Sequence, residues 1–426
     1  MKARKFDWRE IYSDLLYCLI CFMSILQSFY YFYITLISSL FFVSCSASNE
    51  VEDKLSEAKE IKLVSAKADK TMPLSELFEI EAYIPLETRD DVFIGEISQL
   101  IVANNTIWIL DNMVEQVLGF SEEGKLITVI NQKGEGPGQY LRISDVSVTD
   151  NAIYVYDAWS GKMLGFDWNG GLISEKRGNL SASHFETLDE GSFVFYHDYS
   201  ANGWKEESEP HYNLTFIDEN LKIKSQFLPN ELHPAPEYLT GNHKAFSRNG
   251  HELLLMESYQ NVVYRIIDNG VVPYLKFNWS DHHDAMVRDF FENTRSGDWS
   301  LERSFDHERR EEIGRFVELQ ENDKVLICSY VKREFVYHVF YDKENNKTLE
   351  LQKKMAEGSH PVALINDLDN TIYYPLLAAQ GDSFYSFTDA YQLRSGEVIS
   401  ERLEDLLSRL PEDPNPIIVK LKIKPF

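Results

Sequence analysis

The sequence predicts an all-β fold assembled from small, radially packed sheets, and three observations predict it. First, one unit is written twice. Moving the segment that begins at Ile97 forward by 46 residues puts Ile97 on Ile143, Ser98 on Ser144, Val102 on Val148, Asn105 on Asn151, Ile107 on Ile153 and Asp111 on Asp157 without a gap. Leu118-Gly119-Phe120 then falls on Leu164-Gly165-Phe166, Gly124 on Gly170, and Leu126-Ile127 on Leu172-Ile173. Second, each copy divides into four short runs of alternating apolar and polar residues, rich in β-branched and aromatic types and bounded by Asn, Asp and Gly. Third, the 426 residues are 44% hydrophobic and 13% aromatic, enough for a large core, and little of the chain carries a helical period. A four-stranded unit of about 45 residues in tandem is how a β-propeller blade reads in sequence. One such sheet cannot bury both faces alone, so blades stack around an axis.

The N-terminus comes first in chain order. No charged residue occurs between Asp14 and Glu50, and Lys2, Arg4, Lys5 and Arg9 precede the apolar run. That arrangement predicts an export leader over residues 1–44, with translation starting at Met1 or Met23. The run ends in Phe42-Val43-Ser44-Cys45-Ser46, which resembles the lipobox of bacterial lipoproteins and makes Cys45 the expected lipidation site. Phe42 stands where Leu is usual, and the run is long enough for an uncleaved transmembrane anchor to be the alternative. Both readings tether the rest of the chain outside the cytoplasm, and the lipoprotein reading puts it in the cell envelope at the outer membrane. An acidic, polar linker is expected over 45–76, and acidic residues just after Cys45 resemble a surface-export signal.

The propeller is expected over 77–426. Blades one and two are the twin units. Blade three reads SHFETLDEG, SFVFYHD, YNLTFIDE and LKIKSQFLP, and blade four reads HKAFSRN, HELLLMES, NVVYRIID and GVVPYLKFNW. Blade five reads RFVELQEN, DKVLICSYV, EFVYHVFYDK and TLELQKK. Blade six begins with PVALIND and DSFYSFTDA, and two orphan strands complete it: PIIVKLKIK in third position and FEIEAYIPLE at the outer edge. Pairing the two chain ends in one blade closes the ring without a raw edge. A helical insert is expected near 278–314 and a helix near 397–410.

The segment NQKGEGPGQYLRISDV, followed by NAIYVYDAWSGKMLGFDWNGGLI, resembles the six-bladed β-propeller family of bacterial lipoproteins, related in architecture to NHL-repeat propellers. The likeness runs over roughly residues 77 to 424, and G-x-G-P-G-x-Y is its most specific element. It implies an exported, lipid-anchored propeller and supplies no catalytic residues.

Charge narrows the partners. Lys plus Arg number 42 against 68 Asp plus Glu, a net charge of -26, and so acidic a surface repels phosphate backbones, which excludes nucleic acid. The four cysteines form no disulfide framework. Cys18 and Cys21 fall in the leader, and Cys328, in VLICSY, reads as a core thiol.

Strand alternation sorts the loops. Turns joining strands one to two and three to four share one face and are short. Loops joining two to three, and connectors between blades, share the other face and carry nearly every insertion, so a ligand is expected on that rim.

Five aromatic residues are candidate ligand contacts there. Tyr140 belongs to the glycine-rich connector, Trp159 and Trp204 to second-to-third-strand loops, and Trp279 and Trp299 to the long insert. A Trp ring on a loop stacks on sugar faces as readily as it packs an insert onto a rim. The connector glycines could cradle an anion or shape a tight crossing. Asp111 and Asp157 could hold a cation near the channel or cap the loops that follow them. His282 and His283, with Asp284 and His307, are the densest candidate metal ligands, for calcium or zinc, although adjacent histidines diverge.

No nucleophile elbow, H-E-x-x-H or paired-carboxylate spacing is present. The expected function is a binding or interaction module for a glycan or an envelope protein. The alternative is a propeller enzyme of lyase, hydrolase or lactonase type using a divalent cation at the central channel.

Overall fold

The computed structural model describes residues 58–63, 68–178, 182–188, 191–199, 211–230, 244–268, 270–278, 314–332, 334–355, 363–369, 376–395 and 401–426. The leader with Cys45, the insert residues Trp279, His282, His283, Trp299 and His307, and Trp204 lie outside them.

Six antiparallel four-stranded sheets form the ring, as the repeat requires. Blade 1 comprises Gln99–Ala103, Thr106–Asp111, Gln116–Ser121 and Leu126–Ile130, and blade 2 Asp145–Val148, Ile153–Asp157, Lys162–Phe166 and Leu172–Arg177. Blade 3 comprises His184–Thr187, Phe193–Tyr196, Tyr212–Ile217 and Ile223–Pro229. Blade 4 comprises Phe246–Asn249, Glu252–Met256, Val262–Ile267 and Gly270–Asn278. Blade 5 comprises Arg315–Glu321, Val325–Lys332, Phe335–Asp342 and Lys347–Lys354. Blade 6 is built from Ala378–Gln380, Ser383–Thr388, Ile417–Ile423 and Phe78–Pro85.

The ring therefore closes as expected, with the C-terminal strand third and the N-terminal strand outermost. Ile84 pairs with Ile418 and Phe78 with Ile423, and Glu81 takes hydrogen bonds from Lys420 and Ser383 across the joint.

One strand assignment is corrected. The innermost strand of blade 6 is Ala378–Gln380, not the PVALIND run; Leu364–Ile365 of that run pairs in parallel with Met72–Pro73. The physical reason is packing. Ala378 joins Leu100, Ile109 and Tyr385 in the core between blades 6 and 1. Leu364 instead joins Leu74, Leu77, Phe340 and Phe384 in the core between blades 5 and 6. Part of the stretch expected as linker is also ordered, since Lys59–Lys62 adds a parallel fifth strand to blade 4 and buries Ile61.

The Leu-Gly-Phe signature of the twin blades has a packing cause. Leu118 and Phe120 face blade 6, while Gly119 lies opposite Trp108, whose ring covers the gap on the face toward blade 2. A Cβ at Gly119 would sit 2.7 Å from that ring. Gly165 is covered by Tyr154 in the same manner one blade on. Filling a glycine gap with the cross-strand aromatic gives each seam a continuous apolar layer.

The helix near 397–410 is present as Glu401–Arg409, preceded by Ala390–Ser395, between the second and third strands of blade 6. Leu403 and Leu407 pack against Ala390, Leu393 and Ile417. The Arg394 guanidinium donates to the carbonyls of Leu407, Leu410, Pro411 and Glu412, which occupies the open acceptors at the helix C-terminus.

Candidate functional site

Two places bear on function: a cavity along the ring axis and an exposed patch where the loops of blades 1 and 2 meet. The cavity, of about 670 Å³, is lined by innermost strands and by short first-to-second-strand turns, among them Asn104, Asp150 and Asn249. Its described lining thus opens on the short-turn face, opposite the rim that the sequence singles out. Lys224, Lys244 and Arg248 balance Asp150, Glu186 and Asp268 in its wall, in a chain whose net charge is -26.

The charged groups are organised by blade. Arg248 of blade 4 reaches Glu186 of blade 3 at 3.1 Å and donates to the Thr187 carbonyl at 2.5 Å. Glu186 also accepts from Ser147 of blade 2 at 2.8 Å. Lys244 Nζ donates to the Leu377 carbonyl at 2.8 Å, and Gln320 Nε2 shares that acceptor at 3.0 Å. Burial pushes the Lys244 ammonium below the usual lysine range, an effect that Glu186, Glu318 and Asp145 counter.

Beside it, burial pushes the Glu318 carboxyl up to about 7 despite a hydrogen bond from Ser329 and the nearness of Lys244. Burial also lowers His338, behind Ser329, to about 4. His184 shows the opposite balance: burial opposes its charge, yet Asp145, 3.7 Å away, holds it above the ordinary histidine value. A raised acid, Glu318, close to a lowered lysine of the cavity wall, Lys244, marks a place where charge is expensive unless a ligand supplies the partner.

Of the predicted site residues, Tyr140 is corrected as a ligand contact: it is fully buried, and its hydroxyl donates to the carbonyls of Glu115 and Ile130 between blades 1 and 2. The connector glycines do not form an anion cradle, because their N–H groups are taken. Gly134 N–H goes to the Tyr140 carbonyl, Gly136 N–H to Gln139 Oε1 and Gly138 N–H to Glu175. Buried Lys162 holds the same loop through the Gly136 and Gln139 carbonyls.

Asp111 and Asp157 are loop caps. Asp157 accepts from the N–H groups of Leu141, Trp159 and Ser160 and from the Ser160 hydroxyl; Asp111 accepts from Gly95, Met113, Val114 and Gln116. Among the described residues no three His, Cys, Asp or Glu side chains converge as a metal centre requires.

Trp159 is presented to solvent, 73% exposed, with Arg142 over its ring at 5.6 Å. Phe93, Met113, Val114 and Leu141 are exposed on the neighbouring loops. Trp168, by contrast, is structural, packed edge-on against Trp108 at 5.3 Å. Cys328 is a free, buried thiol, raised well above its usual pKa by burial.

Sequence reasoning missed Lys244, Arg248, Glu186 and Gln320. The available signal was the interruption of apolar alternation in the innermost strands SHFETL, KAFSRN and FVELQ, where polar side chains face the axis.

Comparison with known proteins agrees with the fold. A Bacteroides fragilis protein described as exported superposes with a TM-score of 0.65 at 18% identity, over 86% of this chain and 99% of that one. A DUF4221 family member from Bacteroides vulgatus reaches 0.47 at 10% identity over 84% and 100%. A streptogramin B lyase reaches 0.39 at 10% identity over 82% and 99%. No curated protein matches the chain. Residues 58–422 match the family described as a domain of unknown function, DUF4934, and at that extent the chain belongs to it.

Proposed function

We propose that the protein is an exported binding module of the cell envelope that captures a small polar ligand in its axial cavity. The single observation that carries this reading is the convergence of Lys244, Arg248, Glu186, Gln99 and Gln320 from different blades on one cavity of about 670 Å³. That volume is in the range of ordinary ligand sites, and the wall, rich in fixed polar groups from Gln99 and Thr149 to Lys244, Arg248 and Gln320, suits a polar ligand. Export rests on the leader sequence and on the similarity to a propeller described as exported. Lipid anchoring in the outer membrane rests on Cys45 and is part of the same proposal.

The test is a ligand screen by calorimetry on the native chain and on Ala379→Trp, which fills the cavity from its wall. Retained binding in the filled variant removes the axial reading. Fatty-acid labelling of cells should vanish in Cys45→Ala, and unchanged labelling removes the anchor.

A second reading has its own observation. Trp159 offers an exposed ring whose backbone is pinned by Asp157 and which carries Arg142 over one face, a surface suited to stacking a glycan or docking an envelope protein. Retention on a glycan array that is lost in Trp159→Ala but kept in Ala379→Trp would place binding on the loop rim instead.

A further inference from the structure

We propose that the inner end of the axial cavity accepts the carboxylate of a hydroxylated organic acid, with Lys244 as the anchor and Gln99 as acceptor for a ligand hydroxyl. This inference rests on the axial reading above and adds the chemical class of the ligand.

Lys244 is the first observation. Its Nζ donates to one partner, the Leu377 carbonyl, and among the described residues it makes no ion pair. An ammonium has three donors, and among the described residues only one is used. The acids facing it are committed elsewhere: Glu186 to Arg248 and Ser147, Glu318 to Ser329, and Asp145 to the Phe185 N–H beside His184. A half-buried cation whose neighbouring carboxylates are each held by other donors is a place for a ligand's.

Gln99 is the second observation, from a different blade. Its Nε2 donates to the Val146 carbonyl at 3.2 Å, while its Oε1 is buried without a hydrogen-bond partner. A buried acceptor left open is costly, and turning the Gln99 amide toward the cavity it lines, to meet a hydroxyl of the bound molecule, removes that cost. Leu100, Phe246, Ala378 and Ala379 are apolar parts of the wall, and they favour a carbon skeleton over a bare inorganic anion. Together these select a sugar acid or a related hydroxy acid, either free or as a uronic acid unit of a glycan.

The charges predict the pH response. The groups facing Lys244 are Asp145, His184, Glu186 with its partner Arg248, and Glu318. Glu318 loses its negative charge as pH falls through about 7, and His184 gains positive charge in the same direction. Capture of an anion therefore strengthens on acidification from pH 8 to pH 6.

The experiment is calorimetry on the full chain with D-glucuronate, D-galacturonate, a galacturonate trimer, propionate, D-glucose and D-galactose, at pH 6 and pH 8. The expected result is that the sugar acids bind at least tenfold more tightly than the neutral sugars and than propionate, and more tightly at pH 6. Tighter binding of the trimer than of the monomer assigns the ligand to a glycan; equal binding assigns it to free acids.

Lys244→Met should abolish the acid preference without lowering the melting temperature, and Lys244→Arg should retain it. Gln99→Leu should remove the preference for glucuronate over propionate. Equal binding of acids and neutral sugars, or undiminished glucuronate binding in Lys244→Met, overturns the proposal, as does absence of binding by every acid. Neutral-sugar binding that Ala379→Trp removes would leave the axial reading standing while this one fails. Glucuronate binding that survives Ala379→Trp would sink both.

Discussion

The seam between blades 1 and 2 and the seam between blades 3 and 4 occupy equivalent places in the ring and are built on different chemistry. In the first, Trp108, Ile130, Tyr140, Val155, Leu164 and Phe166 form an apolar layer, and the Asp that ends each second strand turns back to cap its own loop. In the second, the residues just past the second strands are His197 and Glu257. Asn213 donates to Glu257 at 2.7 Å, Ser258 and Tyr196 donate to Asp198 at 2.6 and 3.0 Å, and His197 meets Thr215 at 3.0 Å. Burial pushes Glu257 up to about 7, with Asp198 adding to the effect and Asn213 opposing it. The faithfully repeated pair keeps an apolar seam, and so do the diverged blades 4 and 5, while blades 3 and 4 place polar groups inside. The innermost strands of the diverged blades 3, 4 and 5 supply Glu186, Arg248 and Gln320 to the axial cavity, and Lys244 enters it from just before the blade 4 strand.

The largest expected effect breaks the dry seam. Trp108→Ala removes a fully buried indole and uncovers Gly119, and should lower unfolding free energy in urea by about 4 kcal/mol. A loss below about 1 kcal/mol would mean that the seam is not a principal core.

The polar seam responds to pH instead. Glu257 in the folded chain holds its proton up to about 7, against 4.5 for the ordinary carboxyl, so the fold binds more protons than the unfolded chain across that window. Stability therefore falls as pH rises from about 4.5 to about 7 and is level above. Glu257→Gln should remove about 3 kcal/mol of that slope and be more stable than the native chain at pH 8. Parallel pH profiles for the two proteins would contradict a buried, protonated Glu257.

The two glycines separate the twins from each other. Gly119→Ala meets the rigid Trp108 ring at 2.7 Å and should cost about 2 kcal/mol. At Gly165 the nearest atom is the movable Ser174 hydroxyl at 2.5 Å, with Tyr154 at 3.3 Å, so Gly165→Ala should cost about 1 kcal/mol. The reverse order in thermal or urea melts would show that the aromatic cover is not what selects glycine. The smallest effect belongs to Trp159→Ala: with the ring mostly in solvent, stability should change by less than about 0.5 kcal/mol. A larger loss would make that ring part of the core and remove the loop-rim reading.

Much of the architecture is legible in the amino acids. The 46-residue repeat, the four runs per unit and the two orphan strands give the blades, their number and the closure by Phe78–Pro85 against Ile417–Ile423, because period-2 alternation and turn residues are local signals. The one misread strand shows the limit. Pro361-Val362-Ala363-Leu364-Ile365 has the stronger strand composition, yet Ala378–Gln380 takes the innermost place, since packing between blades outweighs propensity. The capping roles of Asp111 and Asp157 were also readable as one of two alternatives, because a short acid at a strand end accepts the N–H groups of its own loop.

The sequence by itself determined the ring and the way its ends are joined, since both arise from patterns carried within tens of residues. Only the tertiary structure decided that the cavity opens on the short-turn face, that Tyr140 is a seam residue, and that Gln99, Lys244 and Gln320 share one wall. Those three side chains come from blades 1, 4 and 5, and they meet because innermost strands from distant parts of the chain converge on the axis when the ring closes, a geometric consequence that no local spacing records.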